Sequence, residues 1–81
     1  MNVRIRLFAV AKQLVGASSI DISLSDGGTV GDLRRAMCEQ YPQLNPLAPH
    51  ILFAVGSNYA DDSTTIPPDA DVACIPPVSG G

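Results

Sequence analysis

The segment Pro76-Pro77-Val78-Ser79-Gly80-Gly81 holds the residues of this sequence best suited to chemistry. Proline fixes φ and holds the residue before it extended, so Ile75-Pro76-Pro77 is expected to leave the protein body as a stiff spacer. From Pro77 to Gly81 the backbone reaches at most roughly 17 Å, far enough to enter another protein. Gly80 and Gly81 carry no Cβ and fit a passage that any other residue would block. The reacting group is then the terminal carboxyl of Gly81. With a pKa of about 3.5 it is anionic and inert at neutral pH. It needs activation, most simply adenylation with ATP on a separate enzyme. An amine attacking the acyl-adenylate would give a conjugate. A sulfur donor would give a thiocarboxylate, which is a nucleophile and a portable sulfur atom.

Nothing else in the sequence has the makings of a catalytic group. His50 lies in a proline-rich stretch without an evident partner. Cys38 and Cys74 form no Cys-x-x-Cys motif, and with one histidine the chain has too few ligands for a zinc site, so no metal is expected. The two thiols read as small hydrophobes in a reducing, cytoplasmic setting. An inward Cys74 without a cationic neighbour should be inert. The chain is therefore expected to have no active site of its own and no bound cofactor, with ATP used by an activating partner.

Eighty-one residues make one domain, and two Phe, two Tyr and no Trp leave its core mostly aliphatic. The division expected is a body over 1–76 and an extended, flexible tail over 77–81. All five basic residues fall within the first 35 positions, and four of the eight acids (Asp61, Asp62, Asp69, Asp71) lie between 61 and 71. A net charge of −3 without a basic cluster argues against nucleic acid and anionic membranes as partners. The acidic stretch is read as solvation, or as a patch that steers a basic partner. No apolar run approaches the ~20 residues of a membrane span, and no secretory leader is expected.

The elements that must hold out the tail follow from periodicity. Asn2 to Phe8 alternates strictly, with Val3, Ile5 and Leu7 on one face and Arg4, Arg6 and Phe8 on the other. Ala9 to Val15 reads as a short helical turn stopped by Gly16. Ser19 to Leu24 alternates again, with Ile20, Ile22 and Leu24 inward. Thr29 with Asp32 resembles a capping box, and Val30, Leu33, Met37 and Tyr41 form one apolar stripe on a main helix of about 30–41, with Arg34, Arg35 and Glu39 off it. Residues 42–50 read as loop, 51–55 as a strand, 58–60 as a short returning strand and 61–68 as a polar loop. A last strand, 72–75, is ended by the prolines. If that strand lies beside the first and parallel to it, the result is an α+β, β-grasp (ubiquitin-like) fold. It has a mixed four- to five-stranded sheet with one main helix across one face. Alternation then turns Phe8, Leu52, Ala54, Ala73 and Ile75 to the helix-free side, an apolar set expected to be a docking patch.

The sequence resembles the small subunit of molybdopterin synthase, a sulfur-carrier family. The resemblance rests on Leu7-Phe8-Ala9 with Leu14-Val15-Gly16, the helix opening at Thr29, Ala54-Val55 and, above all, Asp71-Val72-Ala73 through Pro76-Pro77-Val78-Ser79-Gly80-Gly81. It implies that Gly81 is adenylated by an ATP-dependent activating enzyme and converted to a thiocarboxylate at the expense of a sulfur donor protein. The segment Pro76, Pro77, Val78, Ser79, Gly80 then inserts into the large synthase subunit, where sulfur passes to a cyclic pterin precursor of the molybdenum cofactor. It also implies a heterotetramer with the large subunits in the centre. Family members often carry aromatics where this chain has Cys74 and Ile75. The alternatives are a carrier for thiamine or transfer-RNA thiolation, and a ubiquitin-like modifier conjugated through Gly81.

Overall fold

The computed structural model describes residues 1–77. Strand β1 (Asn2–Leu7) buries Val3, Ile5 and Leu7 and exposes the residues between them, as alternation requires. The chain then turns sharply, Ala9 taking φ 50°, into α1 (Ala9–Val15). Gly16 ends α1 in the left-handed conformation (φ 82°), its N–H donating to the Lys12 carbonyl. This is the backbone state glycine enters without the steric cost a Cβ imposes. Strand β2 (Ser19–Ser23) returns antiparallel to β1, pairing Val3 with Ile22 and Ile5 with Ile20.

Helix α2 (Val30–Gln40) opens on a complete capping box. The Asp32 N–H donates to Thr29 Oγ1 at 3.2 Å, and the Thr29 N–H donates to Asp32 Oδ2 at 3.0 Å. Aspartate thus closes the box that glutamate usually closes, stabilising the first turn by about 1 kcal/mol on the scale of a good N-cap. The Thr29 N–H, together with hydrogen bonding from the Thr29 side chain, holds the Asp32 carboxyl below its ordinary pKa. Val30, Leu33 and Met37 are fully buried beneath α2, while Tyr41 is only half-buried because the helix has ended by then.

Residues 42–50, expected as plain loop, contain two 3-10 turns, Pro42–Leu44 and Ala48–His50. Leu44 between the prolines is fully buried, which ties this segment to the core. His50 is exposed. Strands β3 (Leu52–Val55) and β4 (Asn58–Ala60) form a hairpin. The segment expected as a polar loop over 61–68 is anchored as well: Ile66 is buried and Thr65 bridges Thr29. Gly31 lets this segment lie against α2, since a Cβ there would sit 3.2 Å from the Asp62 carbonyl oxygen that accepts from the Gly31 N–H.

Strand β5 (Val72–Ile75) enters the centre of the sheet, whose order is β2-β1-β5-β3-β4. It runs parallel to β1 and antiparallel to β3. The mixed sheet, with α2 and α1 packed on one face, is the α+β, β-grasp arrangement.

Candidate functional site

The pairing registers decide which side chains share the helix-free face. Arg6 lies beside Ala73, Ala73 beside Ala54, and Ala54 beside Tyr59, in one row across four strands. Leu52 lies beside Ile75 in the next row. Phe8 follows β1 at the same end of the sheet. This face carries all but one of the exposed large apolar side chains among the described residues: Phe8 (42% exposed), Leu52 (55%) and Tyr59 (70%), with Leu14 on α1 as the other. Ala54 and Ile75 are half-covered.

Ala73 corrects one expectation. It points to this face but is only 6% exposed, because its methyl lies in a row between Arg6 and Ala54 and offers a partner little surface. It acts as a floor rather than a contact. Tyr59 is the residue the sequence reading missed. Its signal was present: a returning strand that pairs with β3 must set Tyr59 opposite Ala54.

Charge frames the apolar row. The Arg6 guanidinium stands 5.7 Å over the Phe8 ring. It donates to Asp71 through Nε at 3.0 Å and Nη2 at 2.9 Å, a bidentate pair across 65 residues of chain. The pair fastens the entry of β5 to β1. Much of the acidic stretch is likewise engaged within the molecule rather than free to steer a partner. Asp62 accepts from Arg34, and Asp61 accepts from Ser63 and Thr64, whose hydroxyls and N–H groups hold its carboxyl below the usual carboxylate range.

The root of the tail sits at the edge of the apolar row. Ile75 ends β5, Pro76 is buried and Pro77 is exposed. Pro76, expected within the segment that enters a partner, is thus part of the body, and the step into solvent comes at Pro77. Val78, Ser79, Gly80 and Gly81 lie outside the described residues.

The other face is closed. Cys74 is fully buried among core residues, and desolvation pushes its thiol up to about 11. Burial also raises Cys38. Arg34 is a cationic neighbour that the sequence reading did not give Cys74. Its field lowers the thiol's pKa, but desolvation outweighs it. Both cysteines are free thiols. Among the described residues no group of three His, Cys, Asp or Glu side chains could hold a metal ion, and no helix is long and apolar enough to cross a membrane.

The model of the ThiS family matches residues 5–81, which takes in the terminal glycines. The chain belongs to the ThiS family. Among its relatives, the molybdopterin synthase sulfur carrier subunit of Dictyostelium discoideum is 38% identical, the alignment covering 96% of this chain and 94% of that protein. Solved structures share the fold. Small archaeal modifier protein 1 of Haloferax volcanii superposes with a TM-score of 0.84 at 22% identity, covering 95% of this chain and 98% of that one. A chain from the complex of subunits 1 and 2 of the molybdopterin-converting factor of Helicobacter pylori superposes with a TM-score of 0.68 at 21% identity, covering all of both chains. For this ThiS-family member, the β-grasp expected from strand order is the fold observed.

Proposed function

We propose that this chain is the sulfur carrier subunit of molybdopterin synthase, delivering sulfur as a thiocarboxylate on Gly81 to a cyclic pterin precursor of the molybdenum cofactor. The observation that carries the reading is the placement of β5. The central strand runs out at Ile75, next to Leu52 and at the Phe8 end of the uncovered face. A protein that covers this face therefore lies within reach of whatever follows Pro77. The family match through residue 81 and the carrier-subunit relative support the same reading.

In this reading the domain has no catalytic side chain. Gly81 is adenylated by a separate ATP-dependent activating enzyme, with loss of pyrophosphate. The outer sulfur of a persulfide on a donor protein then attacks the acyl carbon and displaces AMP, and a thiol cleaves the resulting acyl disulfide by exchange, releasing the thiocarboxylate and leaving the donor sulfur in a disulfide. The loaded tail, Pro77 through Gly81, enters the large synthase subunit, which docks on Phe8, Leu52, Tyr59 and Ile75. The working assembly is a heterotetramer in the cytoplasm, with two large subunits in the centre and one copy of this chain at each end. Because both partners take the same tail, they compete for the same face.

The test is the mass of the C-terminal peptide after incubation with ATP, an activating enzyme and a sulfur source. A single sulfur-for-oxygen exchange at Gly81 is expected. Deleting Gly81 should abolish sulfur transfer while thermal unfolding stays unchanged. A Gly81 that becomes joined to lysines of other proteins, in adducts that survive denaturation, would instead make the chain a modifier. Normal molybdenum-cofactor synthesis with the deletion variant would end the carrier reading.

A further inference from the structure

Beside Phe8 the uncovered face has a flank of different character. A groove of about 510 Å³ runs between the end of β1 and α1, lined by Arg4, Arg6, Phe8, Lys12 and Ser18 among others. Three of the chain's five cations meet there, although the chain as a whole carries −3. The three are not equally committed. Arg6 is held by Asp71 through two hydrogen bonds. Arg4 meets Asp21 through Nε alone, at 3.2 Å, with its side chain 70% exposed. Lys12 is exposed and makes no ion pair among the described residues.

We propose that this groove receives an acidic segment, Asp or Glu side chains, of the same large subunit that takes the tail, with Lys12 as its principal contact. The inference rests on the functional reading above and adds the chemistry of the partner's rim. A chain of net charge −3 repels an acidic segment except at a cationic flank, so this flank fixes the orientation in which that segment meets the surface. Charges at the rim of an apolar contact act mainly on encounter and register, and their effect falls with salt.

The groove suits carboxylates better than a phosphate. Its guanidiniums already share their charge with Asp21 and Asp71, and it adjoins an aromatic ring. A protein segment that lays an apolar residue on Phe8 and a carboxylate beside Lys12 uses both halves of it.

Lys12 is the only lysine in the sequence, which gives a direct experiment. The full-length chain and the large subunit are treated with a water-soluble carbodiimide, which joins amines to carboxylates in contact, and cross-linked peptides are mapped. The expected product is an amide between Lys12 and an Asp or Glu of the large subunit. In parallel, Lys12→Glu should lower affinity about tenfold or more, chiefly through the association rate, and flatten its dependence on salt. Arg35→Glu makes the same change of charge on the exposed side of α2 and should shift affinity by less than about twofold. If the wild-type chain does not bind the large subunit at all, the functional reading falls and this inference with it. If the complex forms but Lys12 stays uncoupled, or Lys12→Glu behaves like Arg35→Glu, the groove inference is overturned and the functional reading stands. Inorganic phosphate that blocks the coupling more than chloride at equal ionic strength would make the groove an oxyanion site, and would likewise overturn it.

Discussion

An arginine, a phenylalanine and an aspartate meet on each side of the sheet, and the two trios do different work. On the helix side the Arg34 guanidinium lies 5.1 Å over the Phe53 ring and donates to Asp62 at 2.8 Å. It also donates to the backbone carbonyls of Ala48 and Ile51 at 2.6 and 2.7 Å. Its side chain is 20% exposed and its ring partner is buried. On the open side Arg6 lies over Phe8 and pairs with Asp71, but the ring and both charged side chains are half in water. The same chemistry thus closes one face and dresses the other. What separates the two is the set of groups that depend on the arginine. Arg34 satisfies two carbonyls that nothing else among the described residues reaches from α2, whereas Arg6 satisfies one carboxylate that water would serve almost as well.

The largest effect should come from breaking the closed trio. Arg34→Ala removes a cation–π contact, takes the Arg34 donor from the Ile51 carbonyl and leaves the Ala48 carbonyl with only the long Ile51 N–H bond at 3.4 Å, so a loss of about 2–4 kcal/mol is expected in denaturant unfolding. Arg34→Lys keeps the charge but not the fork, and should recover only part of this. A loss under about 1 kcal/mol for Arg34→Ala would show that the staple is ornamental and the contrast between the faces unfounded. The next effect belongs to the open trio and appears in binding rather than folding. Phe8→Asp should cost the large-subunit complex about 100-fold or more in affinity, the scale of a central aromatic anchor. Its thermal unfolding should move little, since the ring is already 42% exposed. Equal losses in folding and binding would place Phe8 in the core instead.

How legible these two sides were in the sequence differs for a physical reason. Strands bury side chains with period two, so the open-face set Phe8, Leu52, Ala54, Ala73 and Ile75 could be read from alternation alone, whereas the place of β5 beside β1 followed from the order of the elements and its pairing with β3 came only with the structure. Alternation gives direction but not depth, which is why Ala73 pointed the right way and still proved covered. The helix stripe Val30, Leu33, Met37 was equally plain, and the capping box announced its start. Arg34 was not readable. It lies off the stripe, and its role depends on where the Ala48–His50 turn and the Asp62 loop come to rest, which are long-range facts with no local signature. Leu44 and Ile66 were hidden the same way, as single apolar residues in segments whose composition is otherwise that of loops.

The buried thiol sharpens the contrast between the faces. Cys74 sits beneath the helix with its pKa pushed up to about 11, while its neighbour Ile75 lies half-exposed on the other side of the same strand. Alkylation at pH 8 should therefore reach Cys38 well before Cys74, with Cys74 reacting only through unfolding. A folded-state thiol pKa above the unfolded value stabilises the native state fully below about 9 and less as pH rises toward 11. Stability should thus fall over that window, and Cys74→Ala should flatten the fall while introducing its own cavity cost. Rapid labelling of Cys74 in the folded protein would revive it as a reactive group.

The smallest effect is the one that tests the open trio as a trio. An exposed arginine–carboxylate pair contributes about 0–1 kcal/mol even when bidentate, because both partners are well hydrated apart and salt screens them together. Arg6→Ala should therefore destabilise the fold by no more than this, and Asp71→Asn by a similar amount. The double variant should differ from the sum of the singles by a few tenths of a kcal/mol. Binding sets a stricter condition. If Arg6 fixes the Phe8 ring for a partner, Arg6→Ala should weaken large-subunit affinity further in wild-type chain than in a Phe8→Ala background, where there is no ring left to hold. If the two losses simply add, Arg6 meets the partner on its own account. The open face would then be a row of independent contacts, unlike the closed face, where Arg34, Phe53 and the two carbonyls succeed or fail together.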